Sequence, residues 1–159
     1  MTHTTDHTSA VTGQRVLTGY RRKIDVVYVY LSALFVVGVL AQVFLAGVGV
    51  FGMNAPKVAD SSSFDAHRGF GFVLMVISLL LLVLALVARQ SMRTTISTLV
   101  LALLTVIAQS VLASLGDNNK WLGGLHALDG MLILLLALWI AFLGWLRVTR
   151  RSRPSASTD

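Results

Sequence analysis

The stretch DAHRGFGFVLMVISLLLLVLALVARQSMR, residues 65–93, decides the fold. Between Arg68 and Arg89 it runs for 20 residues without a charge or a proline. About 20 apolar residues is the length that crosses a bilayer core as a helix. A helix satisfies its own backbone hydrogen bonds in lipid. Arg89 and Arg93 then flank a turn too short for anything but a reversal into a neighbouring span.

Working outward, the same pattern recurs. Residues 26–56 carry no charge, and Gly47, Gly49, Gly52 and Pro56 mark the exit of a first helix into a loop containing Ser61-Ser62-Ser63. The sequence predicts helices over 26–50, 65–88, 94–115 and 121–146, with a turn at Gly116-Asp117-Asn118-Asn119. The expected fold is all-α: an integral membrane antiparallel four-helix bundle. Residues 1–23 and 148–159 are expected as flexible tails around one transmembrane domain at 24–147. Val39-Leu40-Ala41 resembles a signal-peptide cleavage site, but the apolar run continues well past it, so the segment reads as a retained span.

Composition agrees. Of 159 residues, 55% are hydrophobic and 13% charged, with no glutamate and a mean hydropathy of +0.77. A soluble domain carries about 25% charged residues. A soluble enzyme, a disordered chain and a nucleic-acid module are excluded, and the lipid bilayer is the first expected partner. The net charge of +6 does not indicate nucleic acid, because the cations sit at the ends of apolar runs. Arg15, Arg21, Arg22, Lys23, Arg89, Arg93, Arg147, Arg150, Arg151 and Arg153 fall on one side; Lys57, Arg68 and Lys120 fall on the other. The positive-inside rule then places both termini in the cytoplasm, with the plasma membrane as location. Cysteine is absent, which removes disulfides and thiol chemistry.

The two halves resemble copies. Ala41-Gln42-Val43-Phe44-Leu45-Ala46-Gly47-Val48-Gly49 ends the first helix, and Ala108-Gln109-Ser110-Val111-Leu112-Ala113-Ser114-Leu115-Gly116 ends the third. Ala, Gln, Leu, Ala and Gly match in order. Each segment is followed by a loop and a helix opening His-x-x-x-Gly: His67 with Gly71, and His126 with Gly130. Two such hairpins are related by a pseudo-two-fold along the membrane normal. The count from His67 to Arg89 is about 33 Å of helix and from His126 to Arg147 about 32 Å, so the two histidines are expected at one depth near the outer edge.

Ionisable residues inside spans usually face the bundle interior. Two level imidazoles are too few for a structural zinc site, which takes four protein ligands, but suffice as axial ligands of haem iron, whose porphyrin supplies the other four nitrogens. On this reading His67 and His126 hold haem b. Gly69, Gly71, Gly123, Gly124 and Gly130 let a flat ring approach the backbone, and Arg68, Lys57 and Lys120 face its propionates. Asp129 lies one turn inside His126 and needs a partner, Arg68 or the His126 ring, or else reaches to outer water. Asp65 reads as a helix cap. Gln42 and Gln109 read as interhelical hydrogen-bonding groups, with contact to a cofactor edge or a quinone as the sharper alternative. The histidines have an alternative too, as interfacial residues bonded to loops or water. Trp121, Trp139 and Trp145 read in part as interfacial belt residues. His3 and His7 carry no geometry.

The segment Phe64-Asp65-Ala66-His67-Arg68-Gly69, with His126 after a Gly-rich stretch, resembles one four-helix half of haem A synthase. The chain also resembles small four-span actinobacterial membrane proteins. The first resemblance covers about 26–146 and implies haem ligation by His67 and His126. That family has a Glu three residues before its His-Arg pair, where this chain has Phe64, and rebuilding its eight helices takes a homodimer. The expected function is electron transfer or haem handling by a b-type haem protein related to oxidoreductases. A membrane redox complex or a second copy of the chain would be its partner. The alternative is a cofactor-free accessory subunit of a membrane complex. No hydrolase motif is present, and no broken helix or intramembrane charge chain points to transport.

Overall fold

The computed structural model describes the backbone of residues 7–53 and 61–151 and the side chains of residues 19–53 and 63–149. It is all-helical among those residues. Helix α1 is His7–Gly52; a 3₁₀ turn, Ser61–Phe64, leads into α2, Asp65–Val87. Helix α3, Met92–Leu103, passes through a π-helical turn, Leu104–Ala108, into α4, Gln109–Gly116. Helix α5 is Lys120–Arg151. Among the described residues, four stretches are long and apolar enough to cross a membrane: Gly19–Gly52, Asp65–Val87, Met92–Gly116 and Lys120–Thr149, with mean hydropathies between 2.2 and 3.1. The protein is a four-helix bundle built for the membrane.

Two boundaries differ from the sequence expectation. Helix α1 starts at His7 rather than near residue 26, so the basic segment expected in a flexible tail is helical; nothing between His7 and Val26 except two glycines opposes helix, and no proline interrupts it. Helix α5 likewise runs on to Arg151. Residues 1–6, with His3, the loop 54–60, with Lys57, and the expected tail at 152–159 lie outside the described residues.

The turn between α2 and α3 is built by backbone chemistry. Arg89 takes a left-handed conformation, φ 50°, a position that usually holds glycine. The Arg89 and Gln90 amides donate back to the carbonyls of Leu86 and Ala85 at 3.0 Å each. Ser91 then caps α3, accepting from the Thr94 amide at 3.4 Å.

Packing is uneven along the bundle axis. The large side chains that are fully buried, Tyr28, Phe35, Leu81, Leu101 and Ile140, lie in the middle and toward the end carrying Arg89 and Arg147. At the opposite, histidine end, α4 buries no residue, and α2 buries none before Leu74. Apolar side chains such as Phe44, Phe72, Leu135 and Trp139 cover the outside, as contact with lipid tails requires. Around the bundle α1 packs against α2 and α5, and the third span packs against α2 and α5. Helices α2 and α5 sit on a diagonal and make no backbone-level approach to each other among the described residues.

A polar network fills the basic end. The Tyr28 and Thr98 hydroxyls are 2.6 Å apart, Thr98 donates to the Thr94 carbonyl at 2.8 Å, and Arg147 donates to the Thr94 hydroxyl at 2.7 Å. Gln90 donates to Asp25 at 2.6 Å. Lipid tails are as apolar as Leu, so hydrophobicity does not press spans together; close packing and these bonds hold α1, α3 and α5 at this end.

Candidate functional site

The site is assembled by the α1–α2 pair on one side and the α4–α5 pair on the other, and the two sides repeat the same bonding. The Gln42 side-chain amide donates to the His67 carbonyl at 2.8 Å, and the His67 ring Nδ1 stands 3.2 Å from the Gln42 carbonyl. In the second half, the Gln109 amide donates to the His126 carbonyl at 3.0 Å, and the His126 Nδ1 stands 3.3 Å from the Gln109 carbonyl. Each Gln–His pair is thus a reciprocal clamp between neighbouring helices. A carbonyl only accepts, so both bonds require Nδ1 to carry the proton. In the neutral rings Nε2 then keeps its lone pair. The Gln42 amide, 3.4 Å from His67 Nε2, meets that nitrogen as an acceptor.

The two clamps bring the imidazoles close together. The His67 and His126 ring centres are 6.2 Å apart with planes at 73°. The Phe64 ring stands edge-on behind His67, with centres 6.1 Å apart. Both histidines are partly buried, and no group of three or more His, Cys, Asp or Glu side chains comes together among the described residues.

Gly71 and Gly130 matter through the glutamines. A Cβ on Gly71 would lie 3.1 Å from the Gln42 amide nitrogen, and one on Gly130 would lie 3.6 Å from that of Gln109. Gly71 makes room for its clamp, whereas a side chain at residue 130 would sit in ordinary contact with Gln109. A Cβ on Gly116 would meet the Gly123 backbone at 3.0 Å, so the pair allows α4 and α5 to touch. Gly69 and Gly124 face open space.

The acidic and basic residues are distributed differently from expectation. Arg68 is exposed and pairs with Asp65 at 3.7 Å on its own helix, so it does not serve Asp129. Asp65 makes that pair instead of capping α2, whose N-cap position is Phe64 without a side-chain bond. The His126 Nδ1 is taken by the Gln109 carbonyl and is not the partner of Asp129 either. Asp129 does not reach outer water; it is 6% exposed. Its Oδ2 is buried without a partner, as is Gln42 Oε1. Lys120 lies 5.8 Å from the centre of the Trp121 ring.

Sequence reasoning missed the π-helical turn, in which the Gln109 amide bonds back to Leu104. One extra residue in a helix shifts phase by about 100°, so the turn sets where Gln109 points relative to Thr94, Thr98 and Thr105 on the same span. The Thr105 hydroxyl donates to the Leu101 carbonyl at 2.8 Å, a contact that bends helices. Turns of this kind are frequent at functional sites. The network around Tyr28 was also missed, although Thr94, Thr98 and Thr105 recur at helical spacing in an otherwise apolar run.

No curated protein and no solved structure matches this chain. Residues 42–116, from the glutamine of the first clamp to the end of α4, match the model of a family of unknown function (DUF6220).

Proposed function

We propose that the bundle holds a b-type haem between His67 and His126 and serves electron transfer or haem handling in the membrane. The observation that carries this is the spacing of the rings. Two metal–nitrogen bonds of about 2 Å, with about 1.1 Å from each nitrogen to its ring centre, place two axial imidazoles about 6 Å apart; the two ring centres here are 6.2 Å apart. Tautomer supports it as well, since a histidine ligand normally donates its other ring N–H to a carbonyl or carboxylate, as both do here. Bound haem would supply one-electron chemistry, and two protein ligands leave no open iron position. The chain's own part is to fix both rings through the glutamine clamps and to keep lipid-exposed helices around them. The resemblance to half of haem A synthase belongs to this proposal, including a partner of redox character or a second copy that completes eight helices.

The test is the colour of detergent-purified protein made with ample haem. The expected result is a sharp reduced-minus-oxidised haem spectrum that disappears in His67→Ala and in His126→Ala. A colourless preparation refutes the proposal. It favours the second reading, a cofactor-free accessory subunit, which is supported by the way each clamp already glues two helices without any ligand.

Placement in the plasma membrane with cytoplasmic termini is part of the same proposal and is supported by the ten-to-three division of cations. The cysteine-free sequence makes the check direct. Ser62→Cys should react with an impermeant thiol reagent added to intact cells, and Ser152→Cys should react only after lysis; the reverse pattern refutes the orientation.

A further inference from the structure

The residues at the end of the bundle that carries Arg89 and Arg147 are held at one level by side-chain bonds. Gln90, in the α2–α3 turn, donates to Asp25 of α1 at 2.6 Å, and Arg147 of α5 donates to Thr94 of α3 at 2.7 Å. The cations beside them in sequence therefore gather at that end. Arg21, Arg22 and Lys23 lead into Asp25, Arg89 and Arg93 flank the turn, and all five are exposed. Among the residues whose side chains are described, Asp25 is the only carboxylate at this end, and it is buried. Cations collect at the cytoplasmic ends of spans in general, so their number alone describes no site. Their placement on α1 does.

An open, shallow depression on α1 is lined by Gly19, Arg22, Lys23, Val26 and Val27. These positions lie three and four residues apart, which puts them in one stripe along the helix. A Cβ on Gly19 would meet nothing within 4 Å, so the stripe is open where the span begins. With a rise of about 1.5 Å per residue, the two cations lie about one turn deeper than Gly19, and the two valines about one turn deeper again. The exposed Tyr30 and Leu34 continue the face into the apolar zone. An open mouth, a pair of cations and an apolar run follow one another in the order of a phospholipid's headgroup, phosphate and acyl chain. An Arg fork and a Lys ammonium both bind phosphate oxygens, and their alkyl stems lie along apolar surface. A zwitterionic headgroup would bring its own ammonium against five exposed cations, whereas an anionic one brings none. We propose that this stripe of α1 binds an anionic phospholipid, with Arg22 and Lys23 on its phosphate and an acyl chain along Val26 and Val27.

This site stands at the opposite end of the bundle from the histidines and does not rest on haem. The full chain in a non-ionic detergent is titrated with equimolar phosphatidylglycerol and phosphatidylcholine of matched acyl chains, and native mass spectrometry counts the lipids that stay bound. The expected result is that the first bound lipid is phosphatidylglycerol, preferred roughly tenfold, since each Lys or Arg near a membrane surface attracts anionic lipid. Arg22→Gln combined with Lys23→Gln removes the preference. Arg89→Gln combined with Arg93→Gln takes away as much charge from the same end, outside the stripe, and leaves most of it. All four side chains are exposed, and unchanged unfolding midpoints confirm that both double variants keep the fold. A tenfold excess of inorganic phosphate over lipid leaves the lipid bound, because phosphate has no chain to lie along the valines. Equal binding of the two lipids by the unmodified protein overturns the proposal. Equal loss of preference in the two double variants also overturns it, since the attraction then belongs to the whole basic end, and displacement of the lipid by phosphate does the same.

Discussion

The reciprocal clamps predict that two equivalent glycines respond differently to the same substitution. Gly71 and Gly130 occupy matching positions four residues after their histidines, each in a helix long and apolar enough to cross a membrane. Replacing either by Ala removes the flexibility cost of glycine, a gain of about 1 kcal/mol in a helix interior, and that gain cancels when the two variants are compared. What does not cancel is the space. The added methyl group at residue 71 lies 3.1 Å from the Gln42 amide nitrogen, tighter than ordinary van der Waals contact, whereas at residue 130 the Gln109 amide is 3.6 Å away. Gln42 is held at 2.8 Å to the His67 carbonyl, so it cannot retreat without lengthening that bond. Loss of one interhelical hydrogen bond in a membrane costs about 0.6–1.7 kcal/mol. Gly71→Ala should therefore be less stable than Gly130→Ala by about 1 kcal/mol, close to a fivefold difference in the unfolding equilibrium. Reversible unfolding in mixed micelles measures it. In a Gln42→Ala background the difference between the two Ala variants should vanish, because no amide remains to be displaced. Equal stability of the two variants in the unmodified background, or a difference that persists without Gln42, would refute the clamp as described.

Other outcomes follow from the basic end. Tyr28→Phe removes the 2.6 Å contact with Thr98 but leaves Thr98 bonded to the Thr94 carbonyl; it should cost about 0.6–1.7 kcal/mol in the same unfolding assay. Arg89→Gly relieves a left-handed backbone and should stabilise by about 0.5–1 kcal/mol, while Arg89→Val should destabilise, both read from unfolding midpoints. Gly38→Ala places a Cβ 2.7 Å from Leu74 Cδ2 in a well-packed region, so overpacking should cost about 1–3 kcal/mol.

Much of this arrangement is legible before any coordinates. Span number and the level of the histidines follow from charge placement and from the matched Gln and His of the two halves, since helix rise converts residue counts into depth. Partners are another matter. Which way a side chain points depends on the rotation of its helix, and rotation is set by packing that no single helix encodes. Asp129 shows this: three residues from His126, it shares a face with that ring, yet the ring's Nδ1 is captured by a carbonyl of another helix. The π-helical turn is illegible for the same reason, because LTVIA at 104–108 has no residue that forbids an α-helix. The early start of α1 was hidden by composition. Charges and threonines were read as disorder, although neither prevents a helix.

The uneven packing gives the two ends of the bundle different tasks. In lipid, a span gains nothing from hiding Leu against Leu instead of against a tail, so tight association must come from shape, small residues and polar bonds. At the basic end all three are present: Gly144 lies within 2.9 Å of Val29 by its Cβ position, large side chains are fully buried, and Tyr28, Thr94, Thr98 and Arg147 are joined. The histidine end has thin packing and instead carries two paired clamps. The clamps themselves explain the choice of Nδ1 in both rings and the joining of α1 to α2 and of α4 to α5. The 6.2 Å approach of the two rings across the diagonal is the feature on which the proposed occupant rests. The basic end is then the base on which the two lightly packed hairpins stand, so that substitutions around Tyr28 should loosen the clamps, and with them the 6.2 Å spacing of the rings, at a distance without touching them.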